Sequence, residues 1–381
     1  MLSPTLRAQA TYPFVRLNQI ADERISNGLE VIEFGMGDPS EPTDPEILQA
    51  LRDGVRERMG YPAAVGLPEL REAVAAWARR RFGVELDPDL HVIPTLGSKE
   101  AIFSFAQVVL DVPGGRDTVV VTEPGYPVPG RGAAFAGARV VELPLREERG
   151  FLPDLDAVSE DDWRRTALFW LNTPNNPTGA VAPQAFLEDL AHRAREQDFV
   201  LASDEAYSEL WFEDPPPSAL QLDDWSNVVA FNTLSKRSSM TGFRSGFVAG
   251  DPELIAALKR FRPNVGTAPQ EFVQRASVVA WRDEEHVRRA RETYRRKRDL
   301  LLGVLRGKGL RDAGGPATMY LWIAVPPDET SESHAARLLD GGVLVTPGSF
   351  LGPSGEGYVR YALVPTEDEC VRAATILEHL L

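Results

Sequence analysis

Four polar segments carry residue types that can do chemistry, and each follows a short apolar run. Gly97-Ser98-Lys99-Glu100 opens a helical pattern. The backbone N–H groups of such a helix start suit an anion such as phosphate, although a serine there is also an ordinary cap. Pro174-Asn175-Asn176-Pro177-Thr178-Gly179 offers amide donors in what reads equally as a plain turn. Ser203-Asp204-Glu205-Ala206-Tyr207 puts an acid at the mouth of an apolar strand. A carboxylate there needs a partner, unless it merely caps a helix. The stretch from Thr233 to Arg244 (TLSKRSSMTGFR) sets Lys236 among hydroxyls and arginine. The chain has five lysines, Lys99, Lys236, Lys259, Lys297 and Lys308, so one in a Ser/Thr-rich turn after a core strand stands out.

Other chemistries lack their residues. There is no G-x-x-x-x-G-K-[ST] loop, no G-x-S-x-G elbow and no H-E-x-x-H. The five histidines are scattered, and Cys370 is the sole cysteine, so neither a metal cluster nor an intrachain disulfide is expected. With 56 acidic against 41 basic residues the net charge is −15, which disfavours binding to nucleic acid or to an anionic membrane. No apolar run reaches the length of a membrane span and no signal-like start is seen, so a cytoplasmic location is expected.

The elements that must position these residues alternate. Strands are expected at 91–95, 118–122, 139–143, 167–171, 199–203, 228–232 and 245–249, with helices such as 99–110, 183–196 and 252–261 between most of them. That pattern predicts an α/β fold with a mostly parallel seven-stranded sheet flanked by helices, its ligand at the carboxyl ends of the strands. A charged helix over 283–306 reads as an exposed connector to a smaller α+β body with strands at 320–325, 343–346 and 358–364 and helices at 332–339 and 367–379. The expected division is a large body over 46–270, and a small one from 1–45 and 271–381.

All four polar segments therefore fall on one sheet edge. An amine, a carboxylate, hydrogen-bond donors and a phosphate cup are what a phosphorylated pyridine aldehyde requires. TPNNPTG, SDEAY and TLSKRSSMTGFRSG resemble the class I/II aminotransferases, the fold type I enzymes that use pyridoxal 5′-phosphate. GMGDP at 35–39, YPAAVGLPELREAV from Tyr61 and YVRYAL around Arg360 extend the likeness over nearly the whole chain. YPFVRL, RSGFVAGD and the AWRDEEHV…YRRKRD stretch are most similar to the N-succinyldiaminopimelate aminotransferases of lysine biosynthesis.

The resemblance implies roles. Lys236 forms the Schiff base and, once released, shuttles a proton; Asp204 pairs with the pyridine nitrogen; Asn176 and Tyr207 donate to the ring oxygen; Tyr126 stacks on the ring. Ser98, Lys99 (through its backbone N–H), Thr233, Ser235 and Arg244 hold the phosphate, and Tyr61 reaches across from a second subunit of a homodimer. Gly37 and Arg360, with Asn176 beside them, hold the substrate α-carboxylate, and Tyr12 and Asn264 line the pocket. Arg262 is the candidate for a distal carboxylate, and reads equally as a solvated helix-end arginine. The implied reaction is transamination between glutamate and a keto acid. The alternatives are transamination of LL-diaminopimelate, aspartate or alanine, or a carbon–sulfur β-lyase on the same fold. A DNA-binding regulator built on such a domain is disfavoured by the charge.

Overall fold

The computed structural model describes residues 2–9, 13–266 and 268–381. Its chain enters through a short strand, β1 (Ile32–Glu33), and then builds the seven expected strands. These are β2 (Val92–Thr95), β3 (Thr118–Glu123), β4 (Arg139–Pro144), β5 (Thr166–Asn172), β6 (Val200–Asp204), β7 (Val228–Thr233) and β8 (Gly246–Gly250). They form one sheet in the order β2-β8-β7-β6-β5-β3-β4. β8 runs against both its neighbours and the remaining pairs are parallel. Both faces of the central strands are covered, which is why β5, β6 and β7 read as nearly continuous apolar runs rather than alternating ones. Successive side chains part to opposite faces. Val119, Leu168 and Trp170 pack beneath the helix Gly97–Val109, whereas Val120, Phe169 and Leu171 pack beneath Gln184–Gln197.

The strand order sets the site. β5, β6 and β7 end side by side at Asn172, Asp204 and Thr233, and β2 ends at the same edge, just before Gly97. Because β8 is reversed, Arg244 at its entry also lies at that edge.

The second body carries β9 (Tyr320–Ala324), β10 (Val343–Leu344), β11 (Thr346–Pro347) and β12 (Tyr358–Ala362). β11, β12 and β9 make an antiparallel sheet, and β10 pairs in parallel with β1, which ties the chain start to this body. Its core includes Phe34, Leu301, Leu305, Ile323, Leu338, Val359, Tyr361 and Leu377.

Two expectations are corrected here. The helix Glu285–Gly307 is not a free-standing connector: Val287, Tyr294, Leu301, Leu302 and Leu305 recur on one face and are buried. The helix Glu271–Arg282 was expected in the small body, yet Ala276, Ala280 and Trp281 pack into the large one with Phe247 and Trp77, the Trp77 and Trp281 rings 4.8 Å apart. Packing therefore argues for a division after Arg282 rather than after residue 270.

Candidate active site

A cavity of about 470 Å³ opens where the strand ends face the small body. Among its lining residues are Gly37, Ser98, Lys99, Tyr126, Asn176, Asp204, Tyr207, Thr233, Ser235, Lys236, Arg244 and Arg360. Residues spread over more than 300 positions of sequence thus share one space.

Lys236 sits in the single helical turn Leu234–Arg237 that follows β7, capped by Thr233 Oγ1, which accepts from Ser235 N at 3.2 Å. Its Nζ donates to Gly37 O. Burial pulls its pKa down to about 8, against the pull of Asp38 and with the help of Arg360 and Arg244. A lysine so placed has a far larger neutral fraction near neutral pH than an ordinary lysine, which favours a nucleophilic amine.

Asp204 is the last residue of β6 and is buried. Burial pushes its carboxyl up to about 7; the Ala206 N–H, 3.3 Å away, opposes this and the Glu205 charge adds to it. Glu205 alternates to the other side and is a structural acid. Its oxygens accept from Ser203 Oγ, Ser218 Oγ and Ala219 N at 3.0, 2.6 and 2.8 Å. Asp204 has no such set of donors among the described residues, so a cationic N–H within the cavity would complete it.

Asn176 is oriented from both sides. Its N–H donates to Asn172 Oδ1 at 2.7 Å and its Oδ1 accepts from Arg360 Nη1 at 2.8 Å, leaving its amide N–H₂ group for the cavity. Arg360, fully buried on β12, also donates to Gly35 O and, at 3.2 Å, to Thr346 Oγ1. Glu33 shapes that loop by accepting from Gly35 N and Met36 N at 2.6 and 3.0 Å.

At the other end, Ser98 and Lys99 begin the helix Gly97–Val109. Gly97 has φ +67°, and a Cβ there would come within 2.7 Å of Arg244 Nη2, so the glycine lets the guanidinium approach the helix start. Arg244 Nη1 is fixed by Thr241 O at 2.7 Å, and Thr233 Oγ1 lies 3.0 Å from Ser235 Oγ. Burial lowers the Lys99 pKa, and the positive charges of Arg244 and Arg131 lower it further. Three cations around a helix N-terminus make a place for a phosphate. With an amine, a buried carboxylate lacking a full donor set, and this cup, the lining fits a phosphorylated pyridine aldehyde.

Other expected residues lie elsewhere. Arg262 is a correction: it is 1% exposed rather than solvated, its Nη1 pairs with Glu100 Oε1 at 2.7 Å, and it does not line this subunit's cavity. Asn264 is exposed and outside this subunit's cavity, its Nδ2 donating back to Arg260 O and Phe261 O at 2.9 and 3.3 Å. Tyr61 is fully exposed and outside this subunit's cavity, and Tyr12 falls outside the described residues. The lining also holds residues that sequence reasoning missed, chiefly Tyr320, Asn172, Asp38 and Thr241. Asn172 was findable, since it ends a buried strand just as Asp204 does; Tyr320 opens an apolar strand and reads as core. Among the described residues no acidic, histidine or cysteine cluster is suited to a metal, and no helix is long and apolar enough to cross a membrane.

The sequence profile of the family described as aminotransferase class I and II matches residues 30–377. The LL-diaminopimelate aminotransferase of Aquifex aeolicus is 39% identical over 99% of this chain and 98% of its own. Among solved structures, substrate-bound BacF from Bacillus subtilis superposes with a TM-score of 0.92 at 30% identity, covering 100% of this chain and 98% of that one. A probable N-succinyldiaminopimelate aminotransferase from Thermus thermophilus gives 0.89 at 32% identity, covering 97% and 100%.

Proposed function

The chain belongs to the class I and II aminotransferases, enzymes that depend on pyridoxal 5′-phosphate, and from that premise we propose that it transaminates LL-diaminopimelate against a 2-oxo acid. The observation that carries the reaction is the meeting of Lys236, Asp204 and Arg360 in one cavity. When bound, the cofactor would supply an electron sink that makes the substrate Cα–H bond acidic. Lys236 Nζ would hold the cofactor through its aldehyde carbon and, as a free amine, would be the base for the substrate Cα proton. Asp204 would hold a proton at the pyridine nitrogen by charge, Asn176 and Tyr207 would donate to the ring oxygen, and Tyr126 would cover the ring. Ser98, Lys99, Thr233, Ser235 and Arg244 anchor the phosphate, with Tyr61 of a second copy reaching in, which its complete exposure on this subunit allows. Arg360 binds the α-carboxylate as a charge-assisted pair, with Gly37 beside it.

The substrate rests on the relatives and on charge. Once Lys236, Arg360, Arg244, Lys99 and Asp204 have these roles, the charged side chain left in the described lining is an acid, Asp38. It favours a far end bearing an ammonium group, as in LL-diaminopimelate, over one bearing two carboxylates, as in the succinylated substrate. The succinylated compound is the second reading, favoured by the Thermus thermophilus neighbour. Half-reactions followed by absorbance, with LL-diaminopimelate, its N-succinyl derivative, aspartate and alanine as donors, test this. The highest kcat/KM is expected for LL-diaminopimelate. Preference for the succinylated donor would overturn the choice.

A further inference from the structure

Tyr320, at the start of β9, is 5% exposed, and three parts of the site meet on its side chain. Its hydroxyl lies 2.8 Å from the Tyr207 hydroxyl, with the two rings edge to face at 5.4 Å. Its ring lies under the Arg360 guanidinium, whose Cζ is 4.4 Å from the ring centroid. This follows from strand register: Arg360 pairs with Trp322 and Ala362 with Tyr320, so Tyr320 and Arg360 are diagonal neighbours on one face. The third contact is with Gly37, where any Cβ would overlap the Tyr320 hydroxyl. Gly37 O in turn accepts from Lys236 Nζ.

Resting on the reading of the site given above, we propose that Tyr320 is a positioning residue that acts on the cofactor through Tyr207 while seating the carboxylate-binding Arg360. Proton counting gives the direction. Each hydroxyl has one proton. If Tyr207 directs its proton into the cavity towards the ring oxygen, the 2.8 Å bond between the tyrosines is filled by the Tyr320 proton. Tyr207 is then both acceptor and donor, and accepting strengthens its donation. Burial, reinforced by Tyr320, holds the Tyr207 pKa well above the ordinary tyrosine value, so the Tyr207 proton stays in place at neutral pH. The ring of Tyr320 has a separate task, since a guanidinium over an aromatic face is held by the ring's negative face. The small body thereby supplies both the α-carboxylate ligand and the polarising group for a large-body donor.

The test is a pH titration of the visible absorbance of the substrate-free holoenzyme, which reports protonation of the Lys236–cofactor linkage. Tyr320→Phe removes only the hydroxyl and should raise the midpoint by about 0.3–1 pH unit. Tyr207→Phe should raise it more, and the double variant should match Tyr207→Phe alone, because Tyr320 acts through Tyr207. Tyr320→Phe should leave the KM for the amino donor unchanged, whereas Tyr320→Leu, which removes the ring beneath Arg360, should raise it about threefold or more. No shift in Tyr320→Phe, or a shift that persists undiminished in the Tyr207→Phe background, would overturn the proposal. A wild-type protein without the visible band would instead overturn the reading of the site, so the two failures are distinguishable.

Discussion

Asp204→Asn should stabilise the cofactor-free protein and abolish the enzyme. In the folded chain burial lifts the Asp204 carboxyl from 3.8 to about 7. A group with a raised acid pKa makes the folded state hold its proton more tightly than the unfolded state does. The charged form therefore weighs against folding, and the penalty grows as pH rises from the unfolded pKa through the folded one. The full span corresponds to about 4 kcal/mol above pH 7. At pH 5 the same relation leaves about 1.5 kcal/mol, and below pH 3.8 it vanishes. Water entering the cavity screens part of this, so a gain of about 2–4 kcal/mol is expected at pH 8. In a chain of this size that is a rise in Tm on the order of 5 °C. Glu205 titrates in the same range and is present in both proteins, but its charge adds to the Asp204 shift, so the difference measured includes the coupling of the two acids. The assay is thermal unfolding of the stripped wild type and variant at pH 5 and pH 8, with kcat measured on the reconstituted proteins. A gain equal at both pH values, or no gain at pH 8, would refute the reasoning. So would near-normal kcat, since an amide brings no charge to the pyridine nitrogen.

Three further outcomes are expected. Arg360→Ala should raise the KM of every amino donor by about 10- to 100-fold, the loss of a charge-assisted pair worth about 1.5–3 kcal/mol, and an effect confined to one donor would contradict its α-carboxylate role. Arg262→Ala should lower Tm by breaking the buried pair with Glu100 while leaving the kcat/KM ratio of succinylated diaminopimelate to alanine unchanged; a selective loss for the succinylated donor would restore it as a substrate ligand. Tyr61→Phe protein, if impaired alone, should regain activity on mixing with Lys236→Ala protein, because a hybrid dimer contains one site with both groups; activity no greater than the sum of the parents would contradict the shared site.

Much of this was legible because the central large-body strands, such as β5, β6 and β7, are apolar runs that end in polar residues. The run before Asp204 is an example: burial on both faces excludes polar residues until the strand reaches the cavity. What was hidden depends on contacts distant in sequence. The segment 343–346 reads as one strand, yet Val343–Leu344 pairs with β1 and Thr346–Pro347 with β12. Arg262 reads as a solvated or substrate-facing cation until Glu100, far away in sequence, is placed against it. The helix Glu271–Arg282 carries no mark of which body it joins, and the packing of Trp281 on Trp77 decides it. Tyr320 could not be told from core by its neighbours, since its function lies in a hydroxyl that meets Tyr207 only after the two bodies come together.

The central claim is that Lys236 is the amine that holds the cofactor. Borohydride reduction of the purified holoenzyme, followed by peptide mass mapping, tests it most directly. A reduced pyridoxyl adduct is expected on the peptide containing Thr233-Leu234-Ser235-Lys236, with loss of the visible band in Lys236→Ala. An adduct on Lys99, Lys259, Lys297 or Lys308 in place of Lys236 would contradict it.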